Sequence, residues 1–193
     1  MAGILAVLYT SLAALPVPFQ PVHLLFINLL TDSLPALAIG MEPAERDVLS
    51  EKPRNPKGGI LERRFMALLL GQGALIAVCT MISFEVGLKE SAALASTMAF
   101  ATLTLARLFH GFNCRSRHSI VKIGFRRNWY SLGAFALGVL LLALVLFVPA
   151  LKPLFEVETM NGMQLGCVGV MAVLPTFVIQ NFKVVREVFD REK

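Results

Sequence analysis

Three side chains that carry oxygen donors stand close together within an apolar stretch of this chain. Asn28, Thr31 and Asp32 have the spacing i, i+3, i+4, which on an α-helix places side chains on one face. Carboxylate, amide and hydroxyl oxygens are the donors that Ca²⁺ and other alkaline-earth or alkali ions prefer over thiolates and imidazoles. The trio therefore predicts a cation site. The same pattern is also compatible with a buried polar contact between helices that binds no ion.

Pro35 lies one helical turn after Thr31. Its ring lacks the N–H group that would bond to the carbonyl of Thr31, so that carbonyl becomes available as a further ligand. Broken helices are tolerated in membranes mainly where the loose backbone lines a site. A kink that serves only packing is the alternative.

The elements that must position these groups are long apolar segments. Residues 21–40 give 20 positions, which at about 1.5 Å per residue span the roughly 30 Å hydrocarbon core of a bilayer. An aspartate near the middle of such a helix costs about 2.5–3.5 kcal/mol on insertion scales, so it usually faces the bundle interior.

The composition agrees with a membrane protein, because 56% of the 193 residues are hydrophobic and 16% are charged. The pattern predicts an all-α polytopic membrane helix bundle that forms a single domain. Its six transmembrane segments are expected at residues 1–15, 21–40, 65–86, 92–112, 129–148 and 162–182. The three cysteines have no metal-binding spacing and are expected to be reduced packing residues.

Loop charges predict the orientation. Lysine and arginine number six in residues 41–64, five in residues 113–127 and four in the tail 183–193, whereas the intervening turns hold only Lys89 and Lys152. The basic loops are therefore expected to be cytoplasmic, with both termini on that side. Nucleic-acid binding is not expected, because no aromatic residues interleave these charges and no binding fold accompanies them.

Arg107 is a charge inside the fourth predicted helix. Its side chain could reach the depth of Asp32, since the two helices run in the same direction, and the pair would lower the cost of both charges. Snorkelling of the guanidinium to the cytoplasmic headgroups is the alternative.

The residues around Asp32 resemble a known family. The chain resembles calcium-transporting P-type ATPases, at their sixth transmembrane helix and following loop, in the runs Asn28-Leu-Leu-Thr31-Asp32-Ser-Leu-Pro35-Ala, Ile39-Gly40-Met41-Glu42-Pro43 and Arg54-Asn55-Pro56-Lys57. Sodium/potassium pumps usually carry Asp at the position of Asn28. The resemblance covers the whole chain and implies the fifth to tenth helices of a pump, with the first one truncated.

The resemblance also implies site residues. In that family the residues matching Asn28 and Asp32 ligate transported Ca²⁺, as does the residue matching Thr31 where a second ion is bound. Arg107 departs from a Glu that often helps to form a second Ca²⁺ site, so we expect one Ca²⁺ per cycle, with Arg107 as the charge partner. Mn²⁺ or Na⁺ remain alternatives. In this family further ligands come from the upstream part of the fifth helix, where Gly3 stands near an expected Glu.

The resemblance implies an enzyme whose chemistry lies outside these 193 residues. The Asp-Lys-Thr-Gly-Thr phosphorylation motif is not in the sequence, so the chain has no ATPase catalytic residues and Mg-ATP is expected only in other domains. The expected partners are the remainder of the pump polypeptide and the lipid bilayer, and the expected location is a bacterial plasma membrane. A stand-alone secondary carrier or channel-like protein that uses Asp32, and a purely structural scaffold, remain open.

Overall fold

The computed structural model describes residues 1–43, 63–116, 118–124 and 128–191. These residues form α-helices and one π-helical turn, and they contain no β-strand. The helices are α1 (Ala2–Leu12), α2 (Pro21–Phe26), α3 (Ser33–Gly40), α4 (Arg63–Leu88), α5 (Ala92–Cys114), α6 (Ile120–Ile123), α7 (Trp129–Phe147), α8 (Lys152–Phe155) and α9 (Gly162–Arg191). The π turn, Ile27–Thr31, joins α2 to α3. The predicted all-α fold is confirmed.

Among the described residues, five helical stretches are long and apolar enough to cross a membrane. They are Pro21–Gly40, Phe65–Leu88, Ala92–Cys114, Trp129–Phe147 and Gly162–Phe189. The remaining predicted segment, residues 1–15, corresponds to α1, an apolar helix of 11 residues. The chain is thus an integral membrane helix bundle in which five or six helices can span.

Helix α5 is the centre of the bundle. It packs against α3, α4, α7, α9 and the π turn, and every residue from 94 to 104 is buried. Small residues dominate this stretch and let neighbouring helices approach closely. The hydroxyls of Thr97 and Thr104 donate to the carbonyls of Ala93 (2.9 Å) and Phe100 (2.7 Å), so these polar groups are satisfied within the helix. Any charge on α5 therefore meets other helices on most sides.

The helix starts are set by local side-chain caps. Ser91 accepts a hydrogen bond from the N–H of Leu94 at the start of α5 (3.0 Å), and Asn128 accepts one from Ser131 at the start of α7 (3.1 Å). Such caps satisfy backbone N–H groups that have no partner within the helix. The start of α5 and the start of α7 can therefore be read from sequence, and both agree with the predicted 92 and 129.

Two helix ends differ from the predictions. The first helix ends at Leu12 and not at residue 15, because Ala14 takes a left-handed φ of 52° and the N–H of Leu15 turns back to the carbonyl of Thr10 (2.9 Å). Helix α9 continues to Arg191, although residues 183–193 were expected to be a charged tail.

Side-chain contacts explain the longer α9. The Lys183 Nζ donates to the carbonyls of Asn113 and Ser116, each at 2.7 Å, and Glu187 accepts from Ser119 N (2.6 Å) and Oγ (2.8 Å). These contacts fix the helix against the predicted loop 113–127, which itself holds the last turn of α5 and the short α6. Most of the predicted loop 41–64, residues 44–62, lies outside the described residues.

Candidate functional site

The candidate site lies where the membrane-spanning stretch Pro21–Gly40 departs from α-helical geometry. The N–H of Asp32 donates to the carbonyl of Ile27 at 2.8 Å, five residues earlier, which defines the π turn between α2 and α3. Single π turns within helices are frequent at functional sites. The sequence predicted a break at Pro35, and the structure places the departure one turn earlier.

Local chemistry accounts for the π turn. Pro35 cannot donate to the carbonyl of Thr31, and two hydroxyls take over backbone partners nearby: Thr31 Oγ1 donates to Ile27 O (2.9 Å), and Ser33 Oγ donates to Asn28 O (3.3 Å). Side-chain hydroxyls that bond to carbonyls of earlier residues compete with the regular helical ladder. This short polar run is thus able to hold a non-α turn inside an apolar helix.

Asp32 and Arg107 form a salt bridge at this turn. The Arg107 Nη2 donates to Asp32 Oδ2, and the two side chains remain 35% and 29% exposed, respectively. The pair joins the end of the π turn to the inner part of α5. The sequence had left ion pairing and snorkelling open for Arg107, and the structure brings its guanidinium onto the carboxylate.

The other two predicted ligands do not share the surroundings of Asp32. Thr31 is 1% exposed and its hydroxyl faces its own helix backbone, whereas Asn28 is exposed. The prediction of a single face assumed α-helical spacing, whereas these residues lie in and directly after a turn that contains one extra residue. That the three side chains bind one ion together stays a prediction.

His23 is a buried polar residue that sequence reasoning did not select. Its ring is fully buried and stacks on Phe100 with centroids 4.3 Å apart. The Nδ1 atom accepts from Gln20 N (3.2 Å), so Nε2 carries the proton and donates to Phe155 O (2.7 Å). His23 thereby anchors α2, the first half of the interrupted helix, to α5 and α8. A capping box at Gln20 and His23, three residues apart, was the available signal.

The arrangement supplies a carboxylate and a fixed cation rather than a complete metal cage. The described residues contain no group of three or more His, Cys, Asp or Glu side chains that could hold a metal ion. Arg107 holds one carboxylate oxygen of Asp32, Oδ2, and the side chain of Asn28 is exposed. Ca²⁺ takes six to eight oxygens, so a full coordination sphere needs backbone carbonyls, waters or other segments.

Comparison with known proteins places the chain in a family. Residues 16–185 match the family model described as cation transporting ATPase, C-terminus. The chain is 39% identical over 179 residues to a calcium-transporting ATPase of Bacillus subtilis. That match covers 91% of this chain and 20% of the relative. It is 35% identical over 193 residues to calcium-transporting ATPase 1 of Lactococcus lactis. That match covers 99% of this chain and 22% of the relative.

More distant matches include the calcium-transporting ATPase type 2C member 2 of Rattus norvegicus, 31% identical over 172 residues. That match covers 86% of this chain and 18% of the rat protein. The chain thus spans about a fifth of the length of the curated relatives it matches. With an all-helical membrane bundle, a π-interrupted helix and a family match over most of its length, this chain belongs to the cation transporting ATPase C-terminal family.

Proposed function

We propose that this chain is the ion-binding membrane portion of an ATP-driven pump that exports Ca²⁺. The observation that carries the proposal is the Asp32–Arg107 salt bridge at a π turn inside a bundle of apolar helices. A carboxylate and a guanidinium in such a place are costly, and intramembrane charges of this kind mark ion pathways. Two bacterial relatives named as calcium-transporting ATPases support Ca²⁺ as the ion.

In this proposal Asp32 is the charged ligand, and Asn28 and Thr31 are the further ligands on the same helix. Asn28 is already exposed, while Thr31 would have to offer its carbonyl or release its hydroxyl from Ile27 O. Arg107 engages Oδ2 of Asp32 and leaves Oδ1 open. The remaining ligands that Ca²⁺ requires would come from parts of the pump polypeptide outside these residues.

Arg107 has two roles in the proposed cycle. When no ion is bound, its guanidinium neutralises Asp32, so the carboxylate is never left unpaired in a low-dielectric site. When Ca²⁺ is bound, the fixed positive charge occupies space beside it and disfavours a second divalent ion. We therefore propose a stoichiometry of one Ca²⁺ per cycle.

The energy source and the location belong to the same proposal. The phosphorylation motif of P-type pumps is not among these residues, so ATP chemistry with Mg-ATP would take place on other domains of the pump. The proposed location is a bacterial plasma membrane, and the basic loops support cytoplasmic termini. Lipid and the remainder of the pump are the proposed partners, and Mn²⁺ or Na⁺ are the competing ions.

The test measures ⁴⁵Ca²⁺ binding to the purified chain and to a chimera in which it replaces the matching fifth of the Bacillus subtilis relative. Each protein is compared with its Asp32→Asn variant, and Mn²⁺ and Na⁺ are added as competitors. We expect the chimera to bind one Ca²⁺ per phosphorylation site and the Asp32→Asn chimera to bind none.

Other outcomes would contradict parts of the proposal. Two Ca²⁺ per phosphorylation site would exclude the role of Arg107 as a substitute for a second ion. Binding by the isolated chain that depends on Asp32 would favour a carrier that needs no pump domains. A chimera that binds Ca²⁺ equally well with Asn at position 32 would remove Asp32 from the site.

A further inference from the structure

A second buried charge pair lies at the other end of α3. Glu42 follows α3, and Arg115 follows α5; the Arg115 Nε donates to Glu42 Oε2 (2.8 Å) and Nη2 donates to Oε1 (3.0 Å). The side chain of Arg115 is 2% exposed, and that of Glu42 is 12% exposed. A bidentate contact of this kind constrains direction as well as distance.

Asn128 completes this cluster. Its Nδ2 donates to Glu42 Oε2 and to the carbonyl of Ala38, both at 2.8 Å, while its Oδ1 caps α7 through Ser131 N. Asn128 itself is only 2% exposed. The register cluster, defined as Glu42, Arg115 and Asn128, thus ties the end of α3 to the end of α5 and the start of α7.

The register cluster and the Asp32–Arg107 pair connect the same two segments. Glu42 lies ten residues after Asp32, and Arg115 lies eight residues after Arg107, which corresponds to about 15 and 12 Å along a helix. The two polar contacts therefore link the same pair of helices at two levels. The Asp32–Arg107 pair lies deeper in the bundle, and the register cluster lies at the ends of α3 and α5.

Between these ties, α3 has no polar side chain that could fix its register. From Leu34 to Gly40 it carries only apolar residues and glycine, and it packs against α5 and α7. Apolar burial is non-directional, so it specifies register less sharply than hydrogen bonds do. Buried polar contacts can supply the missing register, as a single buried Asn does in coiled coils.

We propose that Glu42, Arg115 and Asn128 are positioning residues that set the register of α3 against α5 and thereby hold Asp32 opposite Arg107. The part of this inference that concerns ion affinity rests on the proposed function, because it takes Asp32 as an ion ligand. The part that concerns register is independent of any ion.

The register is tested by spin-label distance measurements on the 193-residue chain in lipid nanodiscs. Cys79 and Cys167 are replaced by alanine, and labels are placed on Cys114 and on Leu37→Cys, two exposed positions on α5 and α3. Glu42→Gln removes the charge, and Asn128→Ser keeps a good helix cap but loses the reach to Ala38. We expect both variants to shift or broaden the distance distribution.

Glu187→Gln is the matched control. Glu187 is also a hydrogen-bonded carboxylate near a helix end, but it binds Ser119 and not α3. Its replacement is expected to leave the distance distribution unchanged. Should Glu42→Gln prevent folding, Asn128→Ser decides the question by itself. A distribution that stays the same in every folded cluster variant would overturn the proposal.

The ion-dependent part is tested in the Bacillus subtilis chimera. Loss of residues that orient metal ligands typically weakens metal affinity about 10- to 100-fold, so we expect at least a tenfold weaker Ca²⁺ affinity in Glu42→Gln and Asn128→Ser, with Glu187→Gln unchanged. If Asp32→Asn leaves Ca²⁺ binding intact while the label distances still move, the proposed function fails and the register role stands. If Asp32→Asn abolishes binding and the cluster variants bind normally, the positioning of Asp32 is refuted.

Discussion

Asp32 and Arg107 carry opposite charges, and their salt bridge lowers the free-energy cost of placing each charge in an apolar bundle. Their side chains are about one-third exposed in this chain, so water or a ligand can reach the pair. Breaking a buried pair costs about 3–5 kcal/mol because one charge is left uncompensated, whereas a surface pair contributes about 0.2–1 kcal/mol. A half-exposed pair belongs between these limits.

Arg107→Gln should therefore lower the free energy of unfolding by about 1–3 kcal/mol. The double variant Asp32→Asn/Arg107→Gln should be more stable than Arg107→Gln alone, because no charge then lacks a partner. Denaturant titration in detergent, followed by circular dichroism, measures the four proteins of this double-mutant cycle. Additive effects of the two substitutions would show that the residues do not interact.

Among the elements, the π turn has the largest effect on where Asp32 lies relative to Arg107. It lets Asp32 leave the register of an ordinary helix and meet Arg107, while His23 on α2 and the register cluster beyond α3 hold the two halves. Both halves contact α5, but α2 is also tied to α8 through His23, and the end of α3 is tied to the start of α7 through Asn128.

Deletion of Leu29 tests the turn. Leu29 is 64% exposed, and removing one residue allows a regular α-helix from Pro21 to Gly40. The bond from Asp32 N to Ile27 O then becomes an ordinary i to i+4 bond, and Asp32 turns relative to α2 by the difference between a π turn and an α turn. We expect unchanged helix content by circular dichroism and loss of the Asp32–Arg107 coupling energy. Leu29→Ala, which keeps the residue count, is the control and should retain the coupling.

Close packing of α4 on α5 gives a second prediction at the scale of elements. A Cβ atom at Gly87 would lie 2.7 Å from the Cα of Ala95, a backbone atom that cannot move aside, whereas a Cβ at Gly71 on the same helix would meet nothing within 4 Å. Gly87→Ala should destabilise the chain by about 1–3 kcal/mol through overpacking. Gly71→Ala should instead stabilise it by about 0.5–1 kcal/mol. Thermal unfolding of both variants in one detergent makes the comparison.

At the scale of the whole molecule, the other four spanning stretches pack around α5, and α1 packs on α4. The proposed orientation puts the ends of α3, α5 and α9 in the cytoplasm, together with the register cluster. His23 and α8 then lie on the opposite side, and the Asp32–Arg107 pair lies between the two levels.

Thiol labelling in vesicles tests this orientation. In the first protein Cys79 and Cys167 are replaced by alanine, so that the exposed Cys114 reports the end of α5. In the second protein Cys114 is also replaced, and Met163→Cys reports the start of α9, where Met163 is 87% exposed. A membrane-impermeant maleimide should label Cys114 only in inverted vesicles and position 163 only in right-side-out vesicles. The reverse pattern would place both termini outside.

Much of this protein follows from local patterns in its sequence. The apolar segments, the caps at Ser91 and Asn128, and the charge of the loops depend on neighbouring residues, so they predict an all-α membrane bundle and most helix bounds. The resemblance to calcium-transporting P-type ATPases came from short runs around Asp32 and agrees with the family match.

Other features depend on contacts between distant residues. The longer α9 requires Lys183 and Glu187 to meet the α5–α6 region. The π turn at Ile27–Thr31 was not expected from the spacing of Asn28, Thr31 and Asp32, which assumed a regular helix. His23 bonds to a carbonyl 132 residues away, and Arg115 bonds to Glu42 across 73 residues.

The sequence by itself determined which residues could carry an ion, because charge and hydropathy are properties of single positions and their near neighbours. Only the tertiary structure decided which charges meet and which of the predicted donors stay exposed, because hydrogen-bond partners are fixed by how whole helices pack.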